Sequence, residues 1–171
     1  MTTPRIELRH VSKTFSGIDR TVPVLQDVSF KVMPGELVTI IGASGSGKST
    51  LFNLCVGLLK PDEGEILIDG ERPENRAGMV GYMPQRDLLL PWRSVLGNVL
   101  IPLEIQGIPQ RESRQKALEM LPHFGLETFE NEYPSALSGG MRQRAALLRT
   151  WLMGRSTLLL DEPFGALDAL T

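Results

Sequence analysis

The chain has 171 residues, 42% hydrophobic and 22% charged, a balance that suits one domain, or one domain with a sub-domain, and excludes wholesale disorder. Lys and Arg number 18 against 20 Asp and Glu, a formal net charge of −2, so no basic excess draws the chain to nucleic acid or anionic lipid. Cys55 is the single cysteine, which excludes an internal disulfide framework and a cysteine-rich zinc site.

Met1 to His10 has no apolar run of the secretory kind, and no stretch approaches the roughly 18 to 20 apolar residues that span a bilayer. The sequence therefore predicts a cytosolic, soluble chain that works at a membrane only through a partner. Ile6, Leu8 and Val11 mark a first strand, and Val24, Leu25, Val28, Phe30 and Val32 a second, punctuated by turns at Gly17 and Asp19 and at Pro34-Gly35. Leu37 to Ile41 is short, apolar and β-branched, the composition of a strand buried on both faces. A helical segment follows from Thr50 to Leu59. Pro61 to Gly64 reads as a turn, Glu65 to Gly70 as a strand, and Met79 to Met83 as another. The pattern then turns helical over Ser94 to Ile105 and Arg111 to Phe124. It is strongest over Ser138 to Met153, where Met141, Ala145, Leu148 and Leu152 share a face and Ser138 stands at the N-cap. Leu158 to Leu160 returns to a buried strand.

Between the third expected strand and its helix lies Gly42-Ala43-Ser44-Gly45-Ser46-Gly47-Lys48-Ser49, the G-x-x-x-x-G-K-[ST] phosphate loop known as Walker A. Its glycines keep side chains clear so that backbone N–H groups converge on phosphate oxygens, and the helix start adds about half a positive charge. Nucleoside triphosphate carries roughly four negative charges, so Lys48 supplies a full positive charge near the β- and γ-phosphates, and the Ser49 hydroxyl ligates Mg²⁺. Leu158 to Leu160 ends in Asp161 and Glu162, the form of a Walker B strand. Asp161 is positioned to hold Mg²⁺ through water, and Glu162 to polarise the attacking water as general base. Kinases, GTPases, helicases and transport ATPases share these two elements, so they do not choose among them.

Leu137-Ser138-Gly139-Gly140-Met141-Arg142-Gln143-Arg144 makes the choice, because it closely resembles the LSGGQ signature of ABC-type ATPases, with Met141 in place of the usual glutamine. The resemblance runs from Ile6 onward. It implies an α/β fold: a P-loop NTPase (RecA-like) core, an N-terminal antiparallel β sub-domain and a helical insertion. Residues 1–87 would form the β sub-domain and P-loop core, 88–153 the helical sub-domain, and 154–171 the Walker B strand and D-loop. Phe15 matches the aromatic position that stacks on adenine; the plainer reading is a half-buried strand aromatic. Gln85 matches the Q-loop glutamine, whose amide oxygen reaches Mg²⁺ and the attacking water. Thr50 joins the phosphate-loop residues in holding ATP. Phe164-Gly165-Ala166-Leu167-Asp168 matches the D-loop, in which Asp168 helps join the two sites of a dimer.

In this family two nucleotide-binding domains pair head to tail, each ATP lying between the Walker A loop of one and the signature segment of the other. The resemblance therefore implies that Ser138, Gly139 and Gly140 serve the ATP of a second copy of the chain. It also implies transmembrane permease subunits as partners, an extracytoplasmic solute-binding protein indirectly, and a place on the cytoplasmic face of the cell membrane. Arg86 to Val99 is similar to the subgroup of bacterial importers for nitrate, sulfonates, taurine and thiamine precursors. Within it, Leu88 to Trp92 serves either packing between insertion and core or docking of a permease helix. Family members continue beyond the D-loop into a strand with a switch histidine. No histidine follows Asp168, and His10 and His123 do not match that position, so the sequence reads as C-terminally truncated with its last strands missing. Two other readings stand beside ATP-driven import: a truncated module that binds ATP without turnover, and a soluble ABC ATPase outside transport.

Overall fold

The computed structural model describes residues 2–17, 20–163 and 165. They fall into two compact units, Met1–Val80 and Gly81–Thr171.

In the first unit, β1 (Ile6–Ser16), β2 (Thr21–Val32) and β3 (Glu63–Ile68) form an antiparallel sheet in the order β2-β1-β3. Ile6 and Leu8 alternate inward with Glu7 and Arg9 outward, as a half-buried strand requires. The register shifts between Leu8 and Val11, and Val11 returns to the buried side. The expected strands 1 and 2 are both present. The strand expected over Glu65 to Gly70 appears as β3, which begins at Glu63, so the last two residues of the expected Pro61 to Gly64 turn belong to the strand.

The helix after the phosphate loop is α1 (Lys48–Cys55), shorter than the expected Thr50 to Leu59. Leu51, Leu54 and Cys55 are buried at the i, i+3, i+4 spacing of one helix face. Burial pushes the Cys55 thiol up to about 12, so it remains a neutral packing group.

The segment before the loop differs from expectation. Leu37 to Ile41 forms no strand, and Leu37 and Ile41 are 92% and 91% exposed. A strand exists only through a neighbour's hydrogen bonds, and among the described residues none donates to or accepts from this run. Composition alone cannot supply that ladder.

In the second unit, β4 (Gly81–Met83) and β5 (Leu158–Leu160) pair in parallel, Gly81 opposite Leu158 and Met83 opposite Leu160. The strand expected from Met79 starts only at Gly81, and β5 is half-buried rather than buried. Around them pack α2 (Val95–Val99), α3 (Ile101–Ile105), α4 (Gln110–Met120) and α5 (Gly139–Trp151). Val95, Val99, Leu103, Ala117, Leu126 and Leu148 are among their shared buried core.

The expected single helix Ser94 to Ile105 is two short ones because Pro102 has no N–H to donate to the carbonyl of Asn98. The expected helix to Phe124 gives way after Met120 to a 3-10 turn, Leu121–Phe124, for the same reason at Pro122. Among the described residues, no helix is long and apolar enough to cross a membrane.

Candidate functional site

The phosphate loop lies in the first unit. Its lysine folds back over it: Lys48 Nζ donates to the carbonyls of Gly42 at 2.8 Å and Ala43 at 2.9 Å. Those carbonyls thus turn toward a cation, and the loop closes with Ser46 N–H on Ala43 O at 3.2 Å. Helix α1 starts at once, with Gly47 at its N-cap and no side-chain cap. Among the described residues, none gives the amides of Gly45, Gly47, Lys48, Ser49 and Thr50 an acceptor. A row of unmatched N–H groups at a helix start, beside an ammonium, has the chemistry to cradle a polyanion. Ser44, Gly45, Ser46 and Ser49 are exposed, so the cradle is accessible.

Two glycines set the loop's shape differently. Gly45 has φ +79° and open space where a Cβ would stand. Gly47 has φ +93°, and a Cβ there would meet Val24 Cγ1 at 3.0 Å, Leu25 Cδ2 at 3.1 Å and Val24 O at 3.1 Å. We therefore expect Gly47→Ala to cost about 2 kcal/mol of stability or more, against about 1 for Gly45→Ala, which bears backbone strain alone. Urea unfolding of the two variants checks the order; equal losses would contradict the packing argument.

Phe15, in the same unit, stands near the end of β1 opposite Val22 and is 40% exposed. A ring half in water offers a face for stacking, and Lys13 Nζ lies over it, 5.7 Å from the centroid.

The carboxylates lie in the second unit. Asp161 follows β5 directly, its N–H donating to Met83 O at 2.9 Å and extending the β4–β5 ladder by one step. It is 4% exposed. Tyr82 is raised above the usual phenol range by its own burial and then by the charge on Asp161, which keeps it neutral beside that carboxylate. Glu162 has φ 51°, a left-handed turn that sends the chain away from the strand line. Its Oε2 accepts from Gln85 Nε2 at 2.8 Å, and its backbone carbonyl accepts from Gln143 Nε2 at 3.5 Å and Gly165 N–H at 3.1 Å. Parallel pairing of β4 with β5 thus delivers the residues after each strand, Gln85 and Glu162, to one another.

Ser138 caps α5, its Oγ accepting from Met141 N–H at 3.2 Å, as the helix signal predicts. It is exposed, with Gly139 and Gly140 half-buried behind it. Phe164 and Asp168 of the expected D-loop lie outside the described residues.

The ABC transporter sequence profile matches residues 25–165. This chain belongs to the ABC transporter family. The formylaminopyrimidine import ATP-binding protein ThiZ of Halalkalibacterium halodurans is 52% identical over 87% of this chain and 57% of its own length. The taurine import ATP-binding protein TauB of Rhizobium johnstonii is 43% identical over 97% of this chain and 64% of its own. The chain therefore spans less than two thirds of either relative. The dimeric ATP-binding cassette MJ0796 in a post-hydrolysis state, bound to ADP and Pi, superposes with a TM-score of 0.89 at 35% identity, over 96% of this chain and 76% of that one. The fold is that of the ABC ATPase cassettes, an α/β P-loop fold.

Some side chains of this ABC chain carry weight that sequence reading missed. Asp87, two residues past Gln85, accepts Arg142 Nε at 3.2 Å and caps Leu89 N–H at 3.1 Å. Arg149 donates to the carbonyls of Asp87 at 2.5 Å and Leu88 at 2.8 Å. Burial lowers the Arg149 guanidinium somewhat, opposed by the Asp87 charge. The residues after Gln85 are therefore fastened to the signature helix. The available signal was two arginines seven residues apart, on one face of α5. Asn98 is likewise buried and fully used: its Nδ2 donates to the carbonyls of Leu90, Arg93 and Ser94, and its Oδ1 accepts from Leu90 N–H at 2.7 Å. That network sets the loop on which Leu88 and Trp92 stand 59% and 71% exposed.

Proposed function

We propose that this protein is the ATP-binding and ATP-hydrolysing subunit that powers solute import by an ABC transporter. The contact that carries the reading is Gln85 Nε2 on Glu162 Oε2. A carboxylate fixed through one oxygen keeps the other to take a proton from water. The phosphate-loop residues Gly42 to Thr50 bind the phosphates through amides and the Lys48 ammonium, and Phe15 stacks the base. Mg²⁺ would be held by Ser49, the Gln85 amide oxygen and Asp161. Hydroxyl, amide and carboxylate oxygens suit that hard ion, and Gln85, donating its NH₂ to Glu162, leaves its oxygen for a cation. The ion, when bound, neutralises phosphate charge. Water attacks the γ-phosphorus, Glu162 accepts its proton, and the bond to the bridging oxygen breaks with the electron pair leaving on ADP.

Ser138, Gly139 and Gly140 serve the ATP of a second copy, and Asp168 links the two sites. The exposed Leu88 and Trp92 receive a transmembrane permease on the cytoplasmic face of the cell membrane. A solute-binding protein outside the membrane feeds that permease. Relatives named for formylaminopyrimidine and taurine import support a small organic solute. The test pairs Mg-ATP calorimetry with a phosphate-release assay on the same chain. Binding with release bears the proposal out. Binding without release makes the chain a nucleotide-responsive module rather than a motor, and no binding removes the proposal altogether.

A further inference from the structure

Asp62, just before β3, makes three bonds to consecutive residues of β1. Its Oδ1 takes the Lys13 ammonium at 2.7 Å, its Oδ2 takes Thr14 N–H at 2.7 Å, and its own N–H donates to Ser12 O at 2.9 Å. The next residue along β1 is Phe15. Lys13 and Phe15, two apart on a strand, share a face, and the ammonium held by Asp62 sits over the ring. The Lys13 side chain is only 16% exposed, unusual for a residue that ordinarily extends into water. Lys13 and then Thr14 hold the Asp62 carboxyl below the usual carboxylate range, so this carboxylate is charged at neutral pH.

We propose that Lys13 and Asp62 are positioning residues for the nucleotide base: Asp62 pins Lys13 on one face of Phe15, which fixes the ring and leaves its other face for the purine. The inference rests on the reading of Phe15 as the base platform. A cation on one face draws the ring's π-electrons toward itself, so the opposite face becomes less repulsive to an electron-rich base. A ring already held still also loses less conformational freedom when the base stacks. Without Asp62 the flexible four-carbon stem of Lys13 leaves the ring.

The experiment measures affinity of the full chain for Mg-ATP and for Mg-tripolyphosphate, which has no base. Asp62→Asn keeps an oxygen for Thr14 N–H but loses the charge that holds the lysine. Lys13→Met leaves the Asp62–Thr14 bond intact, so at least one variant preserves the backbone clamp. Both are expected to weaken Mg-ATP roughly 3- to 10-fold with tripolyphosphate unchanged, and Lys13→Arg to restore most of the loss. In a Phe15→Ala background the Asp62→Asn effect disappears. The inference is overturned if Asp62→Asn and Lys13→Met are silent, weaken both ligands alike, or act equally without Phe15. If Phe15→Ala itself leaves the ratio of the two affinities untouched, the base-platform reading fails and takes this one with it. If Phe15→Ala is selective and the other variants are not, only the Lys13–Asp62 inference falls.

Discussion

Replacing Lys48 with alanine is expected to weaken Mg-ATP binding roughly 100-fold or more, read by calorimetry or by a fluorescent nucleotide. Two losses combine. The first is the only side-chain positive charge within the loop Gly42 to Ser49, facing a ligand with about four negative charges. Hydrogen bonds to ionised groups contribute about 1.5 to 3 kcal/mol each, and 100-fold corresponds to about 2.7 kcal/mol. The second loss is internal: Lys48 Nζ also holds the carbonyls of Gly42 and Ala43, which keeps acceptor oxygens turned toward the lysine. Released carbonyls are free to rotate toward an incoming phosphate and repel it. Lys48→Met separates the two losses poorly, since it removes both. Lys48→Arg keeps the charge with a different reach, so it is expected to recover part of the affinity. If Lys48→Ala binds Mg-ATP as tightly as the parent chain, the loop is a connector and not a nucleotide cradle.

What could be read from the sequence was what depends on neighbours along the chain. The phosphate loop is such a case: positive φ at Gly45 and Gly47, the lysine and the hydroxyl are all encoded within eight residues. Ser138 is another, because an N-cap needs only its own hydroxyl and an amide three residues on. Leu37 to Ile41 is the opposite case. Its composition predicts burial, but burial and a ladder both come from other segments, and no described residue supplies them. Pro102 and Pro122 were visible, and a stricter reading of the missing N–H would have broken both helices where they break. The seven-residue spacing of Arg142 and Arg149 marks a shared helix face but not what meets it, since Asp87 lies 55 and 62 residues away along the chain. Charges on a helix read as a solvated face until a fold brings something to meet them.

The Gln85–Glu162 contact leads to the second large effect, for Glu162→Gln. Turnover is expected to fall roughly 100- to 10,000-fold, the usual share of a general base, while Mg-ATP affinity holds or rises. The substitution is nearly isosteric. The new amide keeps an oxygen to accept from Gln85 Nε2, so the 2.8 Å contact and the left-handed turn at φ 51° both survive. What disappears is a negative charge able to take a proton. That charge also repels the γ-phosphate, so its removal favours the bound state. In the proposed head-to-tail pair, nucleotide that is not cleaved holds two copies together, so size-exclusion chromatography with Mg-ATP is expected to show a dimer in the variant that decays in the parent. Gln85→Ala gives the control from the other side of the bond. It leaves the carboxylate charged but free to swing, so phosphate release slows by a smaller factor and no dimer is trapped. Equal phosphate release in parent and Glu162→Gln would strip Glu162 of the role of base and leave its bond to Gln85 as a structural tie between the chain segments after β4 and β5.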